Sequence, residues 1–174
     1  MANVAGTVYF GKMSETPIGD LWLACSERGL VAVSWNNERE KLLKYLTKRL
    51  KVAVEENPRR LALAESQIRE YLGGERKRFT FQIDWSLLRS FQREALLATF
   101  AIPYGQTTTY GDLAQQIGRP RAAARAIGRA EATNPMPLVI PCHRVLGADG
   151  KLRGYGGGLE IKMWLLQLEG AVLA

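Results

Sequence analysis

The sequence predicts two small domains: an α/β domain over residues 1–85 and a mostly α domain with a helix-turn-helix over residues 86–174. Three observations point there. The first forty residues hold three β-rich runs, the hydrophobic spacing turns helical from Glu38, and the second half carries two short helical segments joined by a Gly-Arg-Pro turn. Of the 174 residues, 47% are apolar and 24% charged, which excludes disorder as the main state. No apolar run approaches the roughly 20 residues that span a bilayer, so no membrane association is expected. The opening MANVAGTVYFGKM lacks the basic flank and apolar core of a signal peptide. Cys25 and Cys142 are too few for a disulfide scaffold, and with His143 as the single histidine they are too few for a typical structural zinc site. A reducing cytoplasm suits these features.

The runs TVYFGKM, DLWLACSE and GLVAVSW, separated by the turn signals SETPIG and ERG, read as a three-stranded antiparallel meander. Leu42, Leu43, Leu46 and Leu50 then fall on one side of a helix between Glu38 and Lys51. A second helix covers Leu61 to Leu72 and stops at Gly73-Gly74. In RFTFQIDW, Phe79, Phe81 and Ile83 alternate as in a strand, which adds to the first sheet or leads into a linker. Ser90 is a candidate cap for a helix from Phe91 to Thr99 or Phe100. Thr109 is the candidate cap of a short helix from Tyr110 to Ile117, ended by Gly118. Pro120 opens another, from Arg121 to about Ala132. The run LVI, residues 138–140, is of buried-strand type.

Charge directs attention to the second half. The formal net charge is +7, spread as +4 over residues 1–90 and +3 over residues 91–174. A basic excess suits a polyanionic partner, although many basic proteins merely have a solvated positive surface. Arg119, Arg121, Arg125 and Arg129 fall within eleven residues that contain no acid. Arg121, Arg125 and Arg129 repeat every four residues, so they share one slowly drifting helix face. Two readings stay open: a solvated stripe, or a helix in a DNA groove whose small neighbours Ala122, Ala123, Ala124 and Ala126 allow close approach. Glu131 counts against the second, because an acid beside a phosphate is repelled.

The densest chemical signal is NPMPLVIPCHRV, residues 134–145. Free cysteine is often just a small core residue, but Cys142 is followed at once by His143 and an arginine, and GYGGG lies just downstream. A thiol of ordinary pKa is about 3% ionised at pH 7, and lowering it to roughly 5 requires about 5 kcal/mol of differential stabilisation. A base, a cation and local dipoles acting together supply that; one exposed charge does not. On a strand Cys142 and His143 would face opposite ways, so their cooperation needs a turn or a bridging water. Glu169, near the end of the last helix, is placed to orient His143.

PCHRV preceded by NP, followed by GYGGG and by KMWLLQLEG, resembles the O6-alkylguanine-DNA alkyltransferases, the methylated-DNA–protein-cysteine S-methyltransferases. The likeness runs from about Phe91 to Gly170, and SETPIGDLWLACSERGLVAV is similar to the opening of the family's N-terminal domain. The resemblance implies a ribonuclease-H-like three-stranded sheet with helices, followed by a helical domain of winged-helix type. It implies irreversible, single-turnover transfer of the O6-alkyl group of guanine, and of O4-alkyl groups of thymine, from duplex DNA to Cys142, with the base flipped out. His143 then takes the thiol proton through a water and is held by Glu169. Asn134 braces the turn, and Tyr110 donates to guanine N3 and crowds the phosphate. Val145, Tyr155, Gly156 and Lys162 belong to the substrate pocket, with the carbonyls of Cys142 and Val145 accepting from the guanine amino group. Arg125 is implied as the finger that fills the space of the extruded base, with Arg121, Arg129, Ala124 and Thr109 as further DNA contacts. The implied partner is double-stranded DNA carrying O6-alkylguanine, bound by a monomer, with cooperative binding along DNA left open.

The likeness has departures. Gly156 stands where some relatives carry a serine, leaving the amides of Tyr155 and Gly156 to serve O6. Some relatives bind zinc in the N-terminal domain; Cys25 sits where one ligand would be, but Val31 and the lack of a second histidine leave it without companions. No metal and no cofactor are expected. Three other functions are compatible with parts of the pattern: a non-catalytic lesion sensor, for which relatives use tryptophan in place of the cysteine; a helix-turn-helix transcription factor; and a multiple-turnover cysteine hydrolase.

Overall fold

The computed structural model describes residues 6–171. Residues 1–5, part of the stretch read above against a leader, lie outside it. The chain forms two compact units that divide between Leu87 and Leu88. No helix among the described residues is long and apolar enough to cross a membrane.

In the first unit, strands β1 (Thr7–Met13), β2 (Leu21–Ser26) and β3 (Gly29–Trp35) form the antiparallel meander that their alternation predicts. The sheet nevertheless has four strands, not three. Strand β4 (Ala53–Glu56) pairs parallel to β1, giving the order β3-β2-β1-β4. Its sequence AVEE is largely exposed, so this edge strand carries no apolar alternation by which to recognise it. Helix α1 (Arg39–Lys44) continues into a wider π-helical turn, Tyr45–Arg49. Leu42 and Leu46 from this stretch pack on Val8, Phe10, Trp22 and Val31 in the core of the unit. A tight turn from Pro58 leads into α2 (Ala62–Leu72), which Gly73 ends as expected.

The segment RFTFQIDW does not form a strand of its own. Ile83 makes a single parallel bridge to Leu30, with the Leu30 amide donating to the Gln82 carbonyl at 2.9 Å and the Asp84 amide to the Leu30 carbonyl at 2.9 Å. Gln67 anchors its start through both ends of the side-chain amide, at 2.6 and 2.8 Å from Thr80. The alternation of Phe79 and Phe81 reflects ring packing instead, with Phe79 5.4 Å from Tyr71 and 5.2 Å from Phe81 between centroids.

The second unit is helical. Helix α3 (Ser90–Phe100) begins at Ser90 itself after an extended Arg89, and Ser90 is not its cap. Thr109 does cap α4 (Tyr110–Gln116): its Oγ1 accepts from the Asp112 amide at 3.1 Å and donates to the Asp112 carboxylate at 2.6 Å. A turn through Gly118 and a tight helical turn, Arg121–Ala123, precede α5 (Ala124–Ala132), so the α-helical part starts later than Pro120 suggests. Ala95, Leu113, Ala114, Ile127, Ala130 and Val145 close the core between these helices. The run LVI is not a strand. Pro135 and Pro137 supply no backbone donors, Leu138 adopts φ +73°, and residues 135–140 form successive turns. A two-residue strand β6 (Val145–Leu146) then pairs parallel with β5 (Thr108–Thr109), and α6 (Leu159–Leu168) ends the unit.

Gly29 tests the attachment of the 82–84 segment. At φ +139°, an added Cβ would lie 2.4 Å from the Gln82 carbonyl oxygen, so Gly29→Ala is expected to destabilise the protein by about 1–3 kcal/mol. A lowered urea midpoint with an unchanged slope checks this.

Candidate active site in the helical unit

Cys142, His143 and Arg144 form one tight turn rather than part of a strand. That turn lets neighbouring side chains serve different surroundings. Cys142 is 8% exposed and lines a pocket of about 760 Å³ together with Tyr110, Arg125, Gly128, Glu131, Arg153, Tyr155 and Gly156. His143 points to the last helix, where its Nε2 lies 2.7 Å from Glu169 Oε1.

Glu169 follows the last residue of α6 and is held from several sides. Arg144 grips both carboxylate oxygens, Nε to Oε2 and Nη2 to Oε1, each at 2.8 Å, and its Nη1 donates to the Ile102 carbonyl. The Gly105 amide adds a bond of 3.3 Å to Oε2. Gly105 is required there: at φ +77°, an added Cβ would sit 2.9 Å from the Glu169 carbonyl oxygen. Burial alone would raise the Glu169 carboxyl, but hydrogen bonds from His143 and Arg144 outweigh it and hold the group at about 2. Burial pushes the His143 imidazole below its ordinary value, and Glu169 opposes that push. Arg144 was missed at the level of sequence, although its place directly after His143 in a turn was the available signal.

Asn134 ties the turn from the other side. Its Nδ2 donates to the Ile140 carbonyl at 3.0 Å, and its Oδ1 accepts from the Met136 amide at 2.9 Å. Lys162, fully buried on α6, donates to the carbonyls of Val145 at 2.9 Å and Arg153 at 3.3 Å. The Val145 carbonyl is therefore already engaged, and the Cys142 carbonyl accepts from the Val145 amide. Each retains a second lone pair for a ligand.

The thiol is not pre-ionised, contrary to the expectation of a lowered pKa. Burial, reinforced by the charge of Glu131, pushes Cys142 up to about 12, against the opposing effects of Asn134 and Lys162. Tyr110, the first residue of α4, is likewise raised to about 12 by burial and by Glu131 and Cys142. Its ring lies against Gly128 of α5, 4.0 Å from where a Cβ would be. Tyr155 stands edge-on to His143, with ring centroids 6.4 Å apart, and Gly156 is exposed at the pocket rim.

The arginine stripe is outward-facing and divided. Arg125 and Arg129 are exposed and make no ion pair among the described residues, and Arg125 borders the pocket beside Ala124. Arg121 instead pairs with Asp112 and bonds Gln115 at 3.0 Å, which locks it to α4 next to the Thr109 cap. Glu131 does not stand among the arginines, as its proximity in sequence suggested. It is 7% exposed, on the inner face of α5 with Ile127 and Ala130, and accepts a 2.6 Å hydrogen bond from Thr99. The signal was present: Glu131 follows Ile127 by four residues, which is the spacing of the buried stripe.

Fold and site together define a two-unit protein whose second unit sets a buried cysteine in a pocket beside a helical hairpin with an exposed arginine face. Residues 8–85 match the ribonuclease-like domain of 6-O-methylguanine DNA methyltransferase, and residues 90–171 match the DNA-binding domain of the same enzyme. A methylated-DNA–protein-cysteine methyltransferase of Methanosarcina acetivorans is 40% identical over 90% of this chain and 96% of its own. The crystal structure of the Mycobacterium tuberculosis O6-methylguanine methyltransferase superposes with a TM-score of 0.76 at 38% identity, covering 94% of this chain and 93% of that one. A second structure of that protein, in complex with DNA, gives 0.76 at 36% identity, with 93% and 92% covered. The chain belongs to the methylated-DNA–protein-cysteine methyltransferase family.

The Glu169 cluster makes two expectations. Arg144→Ala leaves a buried carboxylate short of its cation and should cost about 3–5 kcal/mol in denaturant unfolding. Because the Glu169 carboxyl is held below its unfolded value, its stabilising contribution is complete above about 4.5 and is lost as pH falls toward about 2. Glu169→Gln should flatten that acid limb of the stability curve.

Proposed function

We propose that this protein repairs alkylated DNA by moving the alkyl group from O6 of guanine onto Cys142. The observation that carries this reading is a buried cysteine in the wall of an open pocket, its neighbour His143 bound to Glu169, and the exposed Arg125 at the rim of the same pocket. The names of the relatives and the DNA complex of one of them support it.

In the proposed reaction the thiol proton leaves through a water to His143, which Glu169 steadies as a transient imidazolium and which releases the proton to solvent before the sulfur attacks. The sulfur attacks the alkyl carbon, forming an S–C bond as the C–O6 bond breaks, and Tyr110 supplies a proton to N3 so that guanine leaves neutral. The high proton affinity of Cys142 makes its thiolate, once formed, a strong nucleophile. No step regenerates the thiol, so one protein accepts one group. O4-alkylthymine is a smaller version of the same leaving group and falls within the proposed range.

The target base must leave the stack to reach Cys142, at a cost of a few kcal/mol. In this reading Arg125, which borders the pocket, fills the vacated space, with Arg129, Ala124 and Thr109 on the DNA side, and Arg121 serves by fixing α5 to α4. Tyr155 and Gly156 offer backbone amides at the rim, and the Cys142 and Val145 carbonyls offer acceptors for the amino group. Asn134 and Lys162 act by holding the turn and the carbonyl in place. We further assign the N-terminal region to the ribonuclease-H-like class and the second to the winged-helix class, working as a monomer in the cytoplasm.

Intact mass after mixing with a duplex carrying one O6-methylguanine tests the reading. One methyl on Cys142, stopping at one per protein and absent in Cys142→Ala, is the expected result. Lesion binding without a mass change would identify a sensor, and turnover on esters a hydrolase. Arg125→Ala should slow transfer from duplex more than from single-stranded DNA, and affinity should fall with salt at a slope near −0.9 per phosphate contacted.

A further inference from the structure

Glu131 has no part in the reaction proposed above, yet it lines the same pocket as Cys142. One carboxyl oxygen, Oε1, accepts from Thr99 at 2.6 Å; the other, Oε2, is buried and has no hydrogen-bond partner among the described residues. The groups around it come from several elements: Thr99 on α3, Tyr110 on α4, Cys142 on its turn and Lys162 on α6, with Arg153 and Tyr155 from the segment before α6 lining the same pocket. Neither cation is paired with Glu131: the Lys162 ammonium is committed to the carbonyls of Val145 and Arg153, and the Arg153 guanidinium to Asp149. On α5 itself, Arg125 and Arg129 lie on the exposed face. A carboxylate and a thiolate in one poorly solvated wall repel each other, so ionising both is costly.

We propose that Glu131 is a positioning residue for alkyl transfer that shares a single negative charge with Cys142, so that the reactive thiolate forms with Glu131 protonated. This rests on the assignment of Cys142 as alkyl acceptor. Burial raises the Glu131 carboxyl to about 7, against the effects of Thr99 and Lys162, which puts the coupling inside the working pH range. The state with thiolate and neutral acid holds the same number of protons as the state with thiol and carboxylate. Above the Glu131 pKa their ratio therefore stops changing with pH, and the thiolate fraction levels off.

The test is the rate of Cys142 methylation by an O6-methylguanine duplex, read by peptide-resolved mass from pH 5.5 to 9.5, for the native protein and Glu131→Gln. Gln keeps an acceptor for Thr99 and removes the charge. The native rate should rise about tenfold per pH unit and form a shoulder near 7, whereas the Gln rate should continue to rise, overtaking the native protein several-fold by pH 8. Alkylation of Cys142 by iodoacetamide, with no DNA present, should show the same pair of profiles. Thr99→Val, which removes the hydrogen bond that favours the carboxylate, should move the shoulder to higher pH. Superimposable native and Gln profiles, or a native profile without a shoulder, overturn the proposal. Loss of methylation in the native protein with the iodoacetamide contrast intact would overturn the acceptor assignment and leave the charge sharing supported.

Discussion

A single buried carboxylate organises the helical unit. Glu169 ends the last helix and accepts hydrogen bonds from His143, Arg144 and the Gly105 amide, so it joins α6, the cysteine turn and the loop after α3. Breaking such a cluster by removing one partner is costly, because a charge out of water loses its compensation. Its value lies in placement: the turn that carries Cys142 is anchored at His143 and Arg144, and Asn134 secures it from the side of residues 136–140. The thiol is thereby presented to the pocket by a frame of buried hydrogen bonds.

The two carboxyl groups near this turn have opposite environments. Glu169 meets donors on both oxygens and stays ionised to about 2, while Glu131 has one donor and is raised to about 7. Burial is common to both; the count of charged and polar donors decides the outcome. In the proposed reaction one group steadies the histidine that takes up a proton, and the other faces the thiol that gives one up.

The strand meander, the helix ended by Gly73, the Thr109 cap and the outward Arg125 and Arg129 were legible because each rests on local spacing or on one residue's capping chemistry. The Cys142, His143 and Glu169 grouping was legible through family resemblance, since nothing local links residues 26 apart in sequence. Strand β4 was hidden because an exposed edge needs no apolar alternation. LVI misled because a fully buried turn and a buried strand demand the same side chains; only the flanking prolines and the backbone at Leu138 separate them.

By itself the amino-acid sequence determined the three-strand meander, the main helices that follow it, a cysteine with a histidine beside it, and the arginine face of α5. These follow from periodicity, caps and residue chemistry, which act over a few residues. The tertiary structure alone decided that Arg144 binds Glu169, that Arg121 is taken by Asp112, and that Glu131 turns inward toward the thiol's pocket. It also decided the protonation of Cys142, because a pKa depends on the water excluded and the charges gathered around the group, and those are set when distant segments pack together.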